Sequence, residues 1–73
     1  MSSEILAEVA GTIWTVDVAV GTKVAAGDSV VTIESMKMEI PVEAQTSGTV
    51  QELLVGKGDT VEEGQVVARI GAS

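Results

Sequence analysis

At 73 residues the chain can enclose one small core and no deep, many-walled cleft, so an independent enzyme is not expected. It contains no His, no Cys and no Tyr, which removes Cys/His metal sites, Ser-His triads, thiol nucleophiles and a histidine general base. Its 11 acidic and 4 basic residues give a formal charge of −7, a field that repels phosphate backbones and anionic headgroups, so neither nucleic acid nor a membrane is an expected partner.

The opening Met1-Ser2-Ser3-Glu4 lacks a basic and then hydrophobic export signal, and no apolar run approaches the roughly 20 residues needed to span a bilayer. A cytoplasmic address is expected. No Pro/Ala-rich linker precedes Glu4, which favours a free-standing protein over a module of a larger one. A monomeric domain is expected. Next come Val16, Val18 and Val20, whose period of two and flanking glycines predict short strands rather than a helix. The triplet Val24-Ala25-Ala26 stops at Gly27 and reads as a turn. Trp14, the only aromatic residue, is expected on the rim with its indole N–H in water.

The central segment runs Ile33-Glu34-Ser35-Met36-Lys37-Met38-Glu39-Ile40-Pro41-Val42. Pairing Ile33 with Ile40 and Glu34 with Glu39 makes it a hairpin with Met36 and Lys37 as its two turn residues. Such a loop ordinarily carries Asn-Gly or Gly-X to supply positive φ, and neither is present. Conflicts of this kind concentrate at functional or strained positions. An exposed hairpin tip is also ordinarily polar, whereas this one flanks its lysine with two adaptable apolar side chains. Lys37 is therefore the candidate site residue, with Met36 and Met38 as a recognition surface around it. Glu34 and Glu39, opposed on the hairpin, read as a solvated flank rather than a catalytic pair, because nothing supplies a pocket to raise one pKa.

Beyond the hairpin the chain repeats itself at a spacing of 37 residues. Gly11, Thr12, Val18, Gly21, Val24, Gly27, Val30 and Ile33 recur as Gly48, Thr49, Val55, Gly58, Val61, Gly64, Val67 and Ile70. Val61-Glu62-Glu63 before Gly64 is then a turn like its counterpart. Gly56-Lys57-Gly58 leads into another strand rather than a helix, so it does not read as a phosphate cradle. Each half alone would expose an apolar face, so the two halves, about 5–33 and 42–70 and joined by the 34–41 hairpin, must pack into a single domain over 1–73. An all-β, two-sheet sandwich is predicted.

The run Glu34-Ser35-Met36-Lys37-Met38-Glu39, together with Gly58-Asp59-Thr60-Val61 and its looser copy Gly21-Thr22-Lys23-Val24, resembles the biotinyl domains of biotin-dependent carboxylases over nearly the whole chain. One departure is Val9, where the family often has a methionine ahead of Gly11. The resemblance implies a flattened β-barrel or sandwich (a barrel-sandwich hybrid) of two four-stranded antiparallel sheets with a pseudo-twofold axis. It implies that Lys37 is acylated with biotin by a biotin protein ligase, no metal being needed. It further implies a non-catalytic carrier between a biotin carboxylase and a carboxyltransferase, as in an acyl-CoA carboxylase serving fatty acid biosynthesis. Two rivals are a lipoyl carrier, whose lysine usually follows Asp and precedes Ala, and an unmodified interaction module of the same fold. Met36 and Met38 favour biotin over lipoate.

Overall fold

The computed structural model describes residues 3–71; the readings that fall on Met1, Ser2, Ala72 and Ser73 lie outside the described residues. Eight strands and no helix occur among them: β1 (Ser3–Leu6), β2 (Gly11–Val16), β3 (Lys23–Val24), β4 (Ser29–Ser35), β5 (Met38–Glu43), β6 (Gly48–Leu53), β7 (Thr60–Val61) and β8 (Val66–Gly71). They form two four-stranded antiparallel sheets, ordered β1-β8-β6-β3 and β5-β4-β2-β7. The all-β sandwich expected from the sequence is thus what the chain adopts.

Advancing 37 residues along the chain carries β1 into β5, β2 into β6, β3 into β7 and β4 into β8, so one sheet maps onto the other strand for strand. This is the pseudo-twofold relation. Each sheet takes two strands from each half, because β1 of the first half pairs with β8 at the far end of the chain. Neither half can bury its valines without the other. The fold is consequently cooperative, and dominated by long-range pairing.

Alternation along the strands sends Ile5, Ile13, Ile33, Val42, Val50 and Ile70 inward, each at most 2% exposed, whereas of the strand expected at Val16, Val18 and Val20 only Val16 is in a strand, β2 ending there and the chain turning toward Gly21. Among the described residues no polar or charged side chain is buried with them. Burying one such Val or Ile contributes roughly 1.5–3 kcal/mol, which is how a chain this short and without cysteine holds a core. Where β2 meets β4 and where β6 meets β8, Gly11 and Gly48 let the backbones come close. A Cβ on Gly11 would lie 2.5 Å from the Glu34 carbonyl oxygen, and one on Gly48 would strike the carbonyl of Gly71. The turns after Val24-Ala25-Ala26 and Val61-Glu62-Glu63 reverse at Gly27 and Gly64, with φ of 95° and 86°.

Candidate functional site

The central hairpin is formed by β4 and β5, paired Ile33 to Ile40, Glu34 to Glu39 and Ser35 to Met38. That register leaves Met36 and Lys37 as the whole turn. Both adopt positive φ, 53° and 64°, and they are the only non-glycine residues among those described that do so. Two consecutive positive-φ residues make the twist of a two-residue loop match the right-handed twist of its strands, which is why Asn-Gly is the common solution. Here a methionine and a lysine bear the conformation instead, at a cost of roughly 1–2 kcal/mol each for a residue with a Cβ. The strain is held by the strands beneath, anchored by fully buried Ile33 and Val42.

Met36 is 92% exposed and Met38 62%, and Lys37 between them is also exposed. Lys37 enters no ion pair among the described residues; the ion pairs there belong to Arg69. The hairpin thus presents a primary amine at its tip, with no carboxylate of the described residues holding it. Glu34 and Glu39 face each other across the hairpin and are exposed. A cleft on the surface lies elsewhere, between Glu4–Glu8, Glu43, Gln45, Glu63 and Gly64, and does not include them. They have no enclosure that would make an acid-base pair of them.

Trp14 is 44% exposed and sits where the pairing of β2 with β4 shifts register between Ile13 and Thr15. Its repeat partner Gln51 lies at the matching shift between Val50 and Glu52. A bulge of this kind re-aims its side chain, which accounts for an indole left on the rim.

A polar network surrounds Asp17, a residue that no motif in the sequence singles out. Its carboxylate accepts hydrogen bonds from Thr15 Oγ1 at 2.9 Å, Ser29 Oγ at 2.7 Å and Thr32 Oγ1 at 3.0 Å. Partial burial pushes this carboxyl upward, but the Ser29, Thr15 and Thr32 hydroxyls outweigh it and hold its pKa below the ordinary aspartate value. The network clamps the segment leaving β2 onto β4, the strand that carries the hairpin. A signal was present in the sequence: Asp17 faces Leu54 in the repeat, a mismatch that the repeat alone gives no reason for.

A family model described as "Biotin-requiring enzyme" matches residues 1–70. The chain is 42% identical over 66 residues to the Biotin/lipoyl attachment protein of Bacillus subtilis (strain 168), covering 90% of each. It is 39% identical over 70 residues to the Biotinylated protein TB7.3 homolog of Mycobacterium leprae, covering 96% of this chain and 99% of that one. Among solved structures, the urea carboxylase of Kluyveromyces lactis superposes with a TM-score of 0.93 at 42% identity, over 97% of this chain and 6% of that chain.

Proposed function

The chain belongs to the biotin-requiring enzyme family, and from that premise we propose that it is a biotin carboxyl carrier in which Lys37 is the attachment residue. The observation that carries this reading is the strained Met36-Lys37 turn, which holds a primary amine at the outermost point of a rigid hairpin. The Lys37 Nζ, once it has lost a proton, attacks the biotin carboxyl that a biotin protein ligase has joined to AMP at the expense of ATP; the amide bond forms as the acyl–phosphate bond breaks, AMP leaves, and the lysine no longer carries a positive charge. Attached biotin would supply a ureido nitrogen able to carry a carboxyl group, and this chain's residues would present and position it. Met36 and Met38 offer two soft apolar side chains for a partner to recognise. The β4–β5 hairpin fixes where the arm starts, and tethering raises the effective concentration of biotin at each partner site.

In this reading the chain itself performs no catalysis. It carries carboxyl groups from a biotin carboxylase to a carboxyltransferase, and the compartment proposed for it is the cytoplasm. The lipoyl alternative is disfavoured by the residues at the tip, where Met36 and Met38 stand in place of an Asp-Lys-Ala sequence. Peptide mapping by mass spectrometry of the protein isolated from its own cell tests the proposal. A biotinyl group on the Lys37 peptide is the expected result; a lipoyl group there, or an unmodified Lys37 in cells whose other carriers are biotinylated, would refute it.

A further inference from the structure

The repeat places every outward-facing residue of one sheet opposite a counterpart on the other, so a row that changes character marks a face with a task of its own. On the sheet that carries Lys37, one cross-strand row is Asp17, Ser29 and Glu43. Ser29 pairs with Glu43, the Asp17 N–H donates to the Val30 carbonyl at 2.9 Å, and Ser29 Oγ donates to Asp17. The repeat-related row on the other sheet is Leu54, Val66 and Leu6. Val66 pairs with Leu6, and the Leu54 N–H donates to the Val67 carbonyl at 2.9 Å, so the backbone arrangement is the same. Three polar side chains on one face have become three apolar side chains on the other.

These apolar residues are not core. Leu6 is 46% exposed, Leu54 44% and Val66 half-buried, and none of the three is among the residues that form the core or pack against it. Their neighbours Ile5, Val67 and Leu53 fill that role. The row is also set in negative charge. Beside it Arg69 is shared between Glu52 at 3.2 Å and Glu4 at 3.4 Å, leaving that trio net negative. Leu6 lines a cleft of about 480 Å³ whose other walls include Glu8, Glu43 and Glu63. An apolar strip bordered by five carboxylates and one cation fits a protein surface with an apolar ridge flanked by Lys or Arg. A second copy of this chain would bring its own −7 and the same carboxylates against these, and charge opposes that pairing.

On the carrier reading, we infer that Leu6, Val66 and Leu54 form a docking strip for the enzyme that carboxylates biotin. The substrates such an enzyme gathers beside biotin, bicarbonate and ATP, are both anionic, and a surface bearing the Lys or Arg that attracts them complements this acidic border. The strip lies on the outer face of the sheet that does not carry the hairpin, so docking there leaves Lys37 free to reach the active site. Affinity comes from the strip, while the surrounding carboxylates steer the encounter.

The experiment exchanges the row for its counterpart: Leu6→Glu, Leu54→Asp and Val66→Ser together. The other sheet already accommodates these residues in the same backbone setting, so the variant keeps the fold, which its circular dichroism spectrum and melting curve report. Wild type and variant are biotinylated with biotin ligase and presented to the biotin carboxylase of the source organism. The expected result is a KM for the holo-carrier raised about tenfold or more, with kcat little changed and the ligase rate within about twofold of wild type. Leu54→Asp alone gives a smaller rise in the same direction, which covers a triple variant that fails to fold. An unchanged KM would overturn the inference. So would a loss confined to the ligase step, which would assign the strip to the ligase, or a wild-type dimer in sedimentation that the variant abolishes, which would assign it to self-association. Failure of the carrier reading itself shows separately, as absence of biotin on Lys37 of the wild type.

Discussion

At Lys37 and Met36 the backbone takes positive φ without glycine, so the direction of each side chain is set by a turn that admits little adjustment. Moving the lysine one position, as Met36→Lys with Lys37→Met, keeps composition and charge but re-aims the amine. The biotinylation rate of the swapped protein should fall on the order of a hundredfold, since small misplacements of a nucleophile cost that much. Kinetic comparison with wild type under one ligase preparation measures it. Asp17 gives a second prediction at this scale. Its pKa is depressed in the folded state by three hydroxyl donors, so its contribution to stability is complete above the unfolded aspartate pKa and is lost as pH falls through the folded value. Asp17→Asn should therefore be slightly less stable than wild type near neutrality, by about 0.5 kcal/mol once solvent screening of the exposed carboxylate is discounted, with the difference shrinking in acid. Urea denaturation of both proteins at several pH values checks the sign.

Among the elements, β2 lies against β4 at Gly11 and β6 against β8 at Gly48 with no room for a side chain at either glycine. Gly48→Ala places a methyl group against the Gly71 carbonyl and the Ile70 side chain, neither of which can withdraw without parting β6 from β8. A loss on the order of 2–4 kcal/mol is expected, and in so small a domain that is a large share of the total stability. Thermal melting of Gly11→Ala should show the same defect in the other sheet. Gly11 and Gly48 were visible in the sequence because the 37-residue repeat aligns them, and so were the turns and the hairpin register, which depend on neighbours. The pairing of β1 with β8 was not, since nothing local in Ser3–Leu6 distinguishes one partner strand from another. Met36, Lys37 and Met38 were legible as a tip because hairpin pairing is local. The Asp17 network and the Leu6, Val66 and Leu54 row were hidden for the opposite reason: they join residues from distant segments and appear in the sequence only as mismatches in the repeat.

For the whole molecule, the pseudo-twofold places the core between two interlocked sheets and leaves the hairpin with no part in holding them together beyond its base. Lys37 is thus decoupled from stability, and Lys37→Ala should melt within a few degrees of wild type. That separation makes the decisive measurement clean. Purified apo-protein is incubated with biotin ligase, biotin and ATP, and its intact mass and peptide map are recorded beside those of Lys37→Ala. The account predicts one biotinyl group, on Lys37 alone although Lys23 and Lys57 are also exposed, and none on the variant. An unlabelled wild type in a reaction that labels a control carrier, or a label that persists on Lys37→Ala, would contradict it.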